Sequence, residues 1–344
     1  HVVIIGFANF DKKNKSIFEY KDINEEPHEI QAKNINPYLI DAGDLFLIKR
    51  RQPINNVSEI SFGSMPNDGG NFLLSNEEKN ELLFNEPNAE KFVKPLLSAH
   101  EFLNGKNRWC LWLENINPSE LKELKCINER VLNVKKLRSE SSREATRKLA
   151  DFPTLFGEVR QPKFNYILIP RHSSESRKYI PFGFFSPEFI ASDSCLSIDK
   201  ASFFDFGILQ SVMHMIWVKN VCGRIKSDYR YSNELVYNNY PWPENPTEKQ
   251  KTAIENAAQK VLDVRAEFPN NSLADLYDPL TMPPALVKAH QALDKAVDLA
   301  YRPQPFTSEA KRMEFLFDLY NTYTAPLLNV DKKKKSWTYY IVYF

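Results

Sequence analysis

The chain has 344 residues, 26% of them charged and 42% hydrophobic, with a net charge of +1. That length can bury a sizeable core in about two or three domains, while near-neutrality excludes a generic polyanion binder and confines any nucleic-acid face to a local patch. No apolar run reaches the roughly 20 residues of a membrane-spanning helix, and Cys110, Cys126, Cys195 and Cys222 are too dispersed for a metal or redox site, which predicts buried thiols in a reducing cytoplasm.

The chain opens on the apolar run HVVIIGFANF, followed by the polar DKKNK and then SIFEY, a strand–turn–strand pattern. An apolar start of this kind is expected of a fragment whose preceding part is missing. Residues 37–50, PYLIDAGDLFLIKR, predict further strand. Asn67-Asp68-Gly69-Gly70 predicts a turn whose glycines permit positive φ. Ser75, with Glu78 three positions on, is a capping box that opens a helix over about 76–84. NRWCLWL at 107–113 reads as a short aromatic strand.

Residues 119–150 turn helical. Within 121–148, nine Lys and Arg stand against four Glu, the main basic feature of the chain. Arg143 and Arg147 fall one helical turn apart and so share a face. That face is either simply solvated or in contact with phosphates, which fix register without reading sequence. NYILIPR and KYIPFGFFSPEFIASDSCLSI suggest strands, and FFDFGILQSVMHMIWVKNV a buried helix. His214 within it is expected to be a core histidine, because no second ligand lies at metal spacing.

GRIKSDYRYSNELVYNNYPWP, Gly223–Pro243, is the unusual stretch. Arg224, Lys226, Asp228 and Arg230 share one parity; Ile225, Ser227, Tyr229 and Tyr231 share the other. Read as one strand, a single face carries charges of both signs. That is either a solvated edge or a surface that reads mixed donors and acceptors. Tyr237, Tyr240 and Trp242 are assigned to the core, and Tyr229 fits either role. After the prolines of PWPENPTEKQ the pattern is helical over roughly 246–330. Thr247 is an N-cap, Pro283-Pro284 opens the next helix, and Ala289, Leu293, Ala296, Val297 and Ala300 form its apolar stripe. The tail, 331–344, reads either as a last strand or as appended residues.

No glycine-rich phosphate loop, HExxH or paired CxxC occurs, and the serines of 192–197 lack a base at any readable spacing. A binding module fits this better than a self-contained active site.

Six segments carry a resemblance: HVVIIGF, FGSMPNDGGNFLLS, RWCLWL, SSREATRKLADFPTLF, SDYRYSNELVYNNYPWP and MPPALVKAHQALDKAVDLAY. In this order, from residue 1 to about 325, they resemble the C-terminal half of the MmeI-like restriction–modification enzymes, which join an endonuclease, an N6-adenine DNA methyltransferase and a target recognition domain. The resemblance implies a mixed α/β (α+β) recognition domain of mixed sheets and helices, followed by a small α-helical domain. Residues 1–20 would be the last strands of the methyltransferase, 21–245 the DNA target recognition domain and 246–330 the helical domain, with 331–344 unassigned. The family's Asn-Pro-Pro-aromatic motif, S-adenosylmethionine loop and nuclease motif are not in this sequence, so no catalytic, cofactor or metal residue is expected. S-adenosylmethionine, and magnesium for cleavage, belong to the parent enzyme. The implied partners are double-stranded DNA and the methyltransferase and nuclease domains of the same polypeptide, in the bacterial cytoplasm and away from any membrane.

The resemblance also assigns residues. Lys226, Asp228 and Arg230 are expected at base edges, with Lys226 and Asp228 jointly reading one G·C pair. A second reading stretch, SDSCLS, supplies Asp193, Ser194 and Cys195. Arg143, Arg147, Lys148, Arg224 and Ser227 are expected at the DNA backbone. The alternative is a structural or protein-interaction module without a DNA role.

Overall fold

The computed structural model describes residues 3–20 and 24–331; the tail assigned no role lies outside them apart from Asp331. Residues 3–10 form no strand and are solvent-exposed, so the first half of the expected strand–turn–strand is not found; no partner strand for them occurs among the described residues. The second half is β1 (Lys15–Glu19), which pairs antiparallel with β2 (His28–Ala32). Residues 37–50, expected as strand, are irregular. Their main-chain groups are held by side chains rather than by a ladder, as described below.

β3 (Ile60–Phe62) and β4 (Leu73–Leu74) flank the Asn67–Gly70 turn, where Asn67, Gly69 and Gly70 take φ of 45°, 63° and 88°. Buried Asp68 accepts the Gly70 and Phe72 N–H groups and closes the turn. The Ser75–Glu78 capping box is present and opens α1 (Asn76–Asn85). β5 (Val93–Leu97), α2 (Ala99–Asn104) and β6 (Trp109–Leu111) follow.

The basic region is three helices, not one: α3 (Pro118–Glu123), α4 (Lys125–Ser139) and α5 (Glu144–Lys148). The buried face of α4 runs Ile127, Val131, Val134 and then Arg138, so an arginine occupies a core position of the apolar stripe. Arg138 is fully buried, and its guanidinium donates to the carbonyls of Pro66, Asn67, Leu149, Phe152 and Leu155. Its burial is tolerable because every bond it loses to water is replaced. It ties the Asn67 turn to the loop beyond α5.

β7 (Tyr166–Pro170) is buried throughout, as its unbroken apolar run predicts. It is followed after one residue by β8 (His172–Ser173), then β9 (Gly183–Phe185), β10 (Ile190–Ala191) and β11 (Cys195–Asp199). Two four-stranded sheets result, ordered β10-β5-β6-β4 and β3-β11-β7-β9. They meet where Gly63 crosses the 191–195 segment: a Cβ there would lie 2.2 Å from the Ser192 carbonyl oxygen, so only glycine fits.

The apolar run that follows is two helices, α6 (Phe203–Leu209) and α7 (Val212–Val221). β12 (Gly223–Ile225) and β13 (Asp228–Arg230) form a hairpin that continues onto β8, in the order β12-β13-β8. The last part is helical: α8 (Glu248–Ala266), capped by Thr247 as expected, α9 (Leu273–Leu276), α10 (Pro284–Tyr301) and α11 (Glu309–Asp331). The α10 stripe is buried except for Ala296, which is half-buried. One apolar core runs without interruption from Ile169 and Leu196 through α6 and α7 to α8, α10 and Tyr320. Gly207 of α6 lets α8 approach until a Cβ would sit 2.5 Å from the Ile254 side chain.

Candidate nucleic-acid interface

The hairpin corrects the one-strand reading of Arg224–Arg230. Ile225 pairs with Asp228, Arg224 with Tyr229 and Gly223 with Arg230, leaving Lys226 and Ser227 as a two-residue loop. Lys226 has φ +55°, a left-handed conformation usually given to glycine or asparagine. Lys226 and Asp228 are therefore not alternate positions of one strand; one stands at the tip and the other starts the return strand. The alternation in the sequence is broken by the Lys226-Ser227 turn, which no Asn-Gly or Asp-Gly marks.

Residues opposite each other in an antiparallel ladder share a face. The inner face holds buried Tyr229, opposite Ser173 of β8, so Tyr229 is core. Arg224 shares that face: its guanidinium carbon lies 4.4 Å from the Tyr229 ring centroid, and it donates to the Ser227 carbonyl at 2.8 Å, with Glu175 at 3.4 Å. Arg224 and the Ser227 main chain thus brace the hairpin in this structure. The outer face holds Asp228 and Arg230 on β13, with His172 opposite Arg230. Lys226, Arg230 and His172 are exposed and make no side-chain hydrogen bond among the described residues, while Asp228 receives only the Glu175 N–H at 3.4 Å.

The second expected stretch arrives at the same place. The Arg171 N–H donates to the Ser194 carbonyl at 3.1 Å, and its guanidinium donates to the Asp193 carbonyl at 3.0 Å. The Arg171 carbonyl accepts from the N–H of Tyr231, just past β13. One residue, at the junction of β7 and β8, therefore joins the 193–194 turn to the hairpin. Its Nε is buried without a partner among the described residues, and its guanidinium lies 4.7 Å from the Phe62 ring. Arg171 and His172 were missed by the sequence reading, which counted basic residues only in clusters; a polar pair directly after the buried run YILIP was the available signal.

Within this stretch the residues differ. Asp193 is half-buried, with no hydrogen bond to its carboxylate among the described residues. Ser194 is engaged: its Oγ accepts from the Ala99 N–H at the start of α2 and lies 2.8 Å from Ser192 Oγ. Cys195 is a correction. It is the first residue of β11, fully buried against Phe102, Tyr166 and Leu168, and burial pushes its thiol up to about 12. Its period-two position faces the core, so it presents nothing to a ligand.

Of the expected backbone contacts, Arg143 is exposed and caps α5 through its main chain, with no side-chain partner among the described residues. Arg147 does not share an uninterrupted helical face with it; its guanidinium turns back to the carbonyls of Ser141 and Ser142 at 2.9 and 3.0 Å. Lys148 pairs with Glu144 at 2.9 Å in full solvent.

Beneath the hairpin the scaffold is polar but closed. Asn239 is buried; its Oδ1 accepts from Arg50 and Tyr320, and its Nδ2 lies 2.9–3.0 Å from the carbonyls of Ile48, Glu234 and Leu235. Asn238 Nδ2 donates to the Arg50 carbonyl, and Tyr237 to that of Ser58. These bonds hold the irregular 48–58 segment. Tyr237, Tyr240 and Trp242 are core, as expected. His214 is also core: Nδ1 donates to the Leu209 carbonyl and Nε2 accepts from the Tyr231 hydroxyl, while burial pushes the imidazole down to about 3.

A rigid platform that gathers unpaired donors and acceptors from two distant chain stretches is the construction of a recognition module. A family model described as MmeI, target recognition domain, matches residues 41–244, and one described as MmeI, C-terminal domain, matches residues 246–328. The chain belongs to the MmeI family. It is 39% identical over 324 residues to DNA methyltransferase A of Bacillus subtilis (strain 168), covering 94% of this chain and 36% of that protein. It superposes with a TM-score of 0.83 and 46% identity on the Type IIL restriction-modification enzyme MmeI in complex with DNA, covering 92% of this chain and 42% of the other. The chain thus spans well under half the length of either relative.

Proposed function

We propose that this chain selects the duplex-DNA sequence on which an N6-adenine methyltransferase and endonuclease of the restriction–modification type acts. The observation that carries the reading is the outer face of β12-β13-β8, where Lys226, Asp228 and Arg230 stand exposed on a braced hairpin, joined through Arg171 to Asp193. Their chemistry suits the major groove: Lys and Arg donate to guanine O6 and N7, and a carboxylate accepts from cytosine N4. Lys226 at the tip and Asp228 beside it would read the two halves of one G·C pair. Arg143 and Lys148 supply sequence-independent phosphate contacts, with Arg147 holding the loop that presents them. Binding on this face would hold one adenine in place for extrusion into the methyltransferase.

The other parts of such an enzyme, its methyltransferase and nuclease domains, are partners in the same polypeptide, working in the bacterial cytoplasm. No helix among the described residues is long and apolar enough to cross a membrane. The residues present do not fit S-adenosylmethionine. No two glycines have the G-x-G spacing of a nucleotide-type loop, and a groove of about 770 Å3 lined by Asn55, Asp205, Trp242 and Tyr323 has no strand-end cradle. No group of three His, Cys, Asp or Glu side chains placed to hold a metal occurs among the described residues.

The test is selection of bound duplexes from a randomised pool by the polypeptide that carries this chain. Enrichment of one sequence is expected, and Lys226→Glu with Asp228→Arg should change one position of it from guanine to cytosine. Unselective binding, or an unchanged sequence from the folded double variant, contradicts the assignment.

A further inference from the structure

We propose that His172 is a further specificity-determining residue, reading a base edge beside the one read by Arg230. The inference rests on the reading surface proposed above and extends it from the hairpin to a third strand. β8 pairs with β13 so that His172 lies directly opposite Arg230, and Gly223 lies opposite Arg230 on the other side. These three positions form one row across the outer face. In that row Gly223 is a gap, since a Cβ there would meet nothing within 4 Å; Arg230 is a guanidinium, and His172 an imidazole. Neighbouring strands are roughly 4.8 Å apart, between one and two steps of about 3.4 Å between stacked bases, so the two long side chains can reach the same or adjoining edges. His172 is exposed, makes no side-chain hydrogen bond among the described residues, and follows directly on Arg171, which fixes the 193–194 turn. It stands between the two reading stretches.

Its protonation state decides what it can read. The groups facing it are Arg171 from its own segment, and Arg230 and Asp228 from β13. Partial burial and the two guanidiniums hold the imidazole below its ordinary range, with Asp228 opposing them. The neutral ring has one N–H donor and one lone pair. The lone pair can accept from the exocyclic amine of adenine or cytosine, which Lys226 and Arg230 cannot do. Protonation removes that acceptor and leaves two donors, which suit guanine.

The experiment is selection of bound duplexes from a pool randomised across the site, using the polypeptide that carries this chain, with His172→Ala, His172→Gln and Arg230→Ala alongside the parent. Melting temperatures are measured on all four. His172→Ala should flatten preference at one position, adjoining or shared with the one flattened by Arg230→Ala, by roughly 5- to 100-fold. His172→Gln, which keeps a donor and an acceptor, should retain part of the preference, and no melting temperature should move appreciably. Lowering the pH should shift the parent at that position toward guanine and leave His172→Gln unchanged. If Arg230→Ala flattens a position and His172→Ala changes none, His172 does not read DNA. If neither changes any position, the reading surface itself is misplaced and the inference falls with it. Uniform weakening on all sequences with a lowered melting temperature would show a purely structural role and overturn the proposal.

Discussion

Residues 223–230 and 232–242 are separated only by Tyr231 and similarly polar, yet the structure puts them to opposite uses. In the first, Lys226 and Arg230 are exposed with no side-chain partner among the described residues. In the second, Asn239 spends its whole amide on five partners and is fully buried. Polar residues that are satisfied internally build a scaffold; polar residues left unsatisfied on a rigid strand are available to a ligand. The difference lies in where the partners are, not in residue type.

If that contrast holds, the largest effect on folding should come from the closed half. Asn239→Ala leaves the carbonyls of Ile48 and Leu235 without the amide donor and Glu234 with the Arg50 N–H alone, and should cost about 2–4 kcal/mol in denaturant unfolding. Arg230→Ala should cost less than about 0.5 kcal/mol. Equal costs would erase the distinction between the two regions.

Next in size is a pH effect where the regions join. His214 accepts from Tyr231, the residue just past the hairpin, and burial holds its folded value at about 3, below the ordinary imidazole value. The unfolded chain binds the proton more readily, so stability is complete above about pH 6.5 and falls as pH drops toward 3, by about 2 kcal/mol at pH 5. Asp294 works in the other sense. It accepts from Tyr179 and the Val212 N–H, and burial raises it to about 6, so its contribution declines as pH rises from the ordinary carboxylate value to about 6. Chemical unfolding at a series of pH values should show His214→Gln flattening the acid limb and Asp294→Asn steepening it. An unchanged acid limb in His214→Gln would mean that the ring is not held neutral.

Smaller still, and confined to the open half, is the tip. Lys226→Gly relieves a left-handed lysine and should stabilise the fold by about 0.5–1 kcal/mol while flattening base preference at one position. A variant that is more stable and equally selective would remove Lys226 from the reading set. The smallest effect separates two neighbouring arginines. Arg143→Ala should lower the slope of log affinity against log salt by about one unit without touching stability. Arg147→Ala should also loosen the loop whose carbonyls it holds, seen as faster amide exchange around Ser141 and Ser142.

Local signals were legible in the sequence: the Ser75–Glu78 and Thr247 caps, the buried strand YILIP, the core assignment of Tyr237, Tyr240, Trp242 and His214, and the resemblance that pointed to a reading surface. What failed needed tertiary knowledge. Arg138 was counted with the basic surface because its periodicity places it in the core only if carbonyls wait there. Residues 37–50 looked like strand because they are extended and apolar, but side-chain amides occupy their backbone groups. Cys195 was assigned to the DNA with the rest of SDSCLS through the resemblance, although strand alternation turns it inward. Arg171 and His172 gain meaning only from the register of β8 on β13.

The uninterrupted core across residue 245 bears on modularity. Gly207 and Ile254 meet so closely that the reading domain and the helical domain have been shaped against each other. A graft cut at that seam would bring together two faces not fitted to each other. If the hairpin reads DNA as proposed, a change of specificity should be easier at its tip, where side chains change without moving the ladder, than by transplanting whole segments that leave the helices behind.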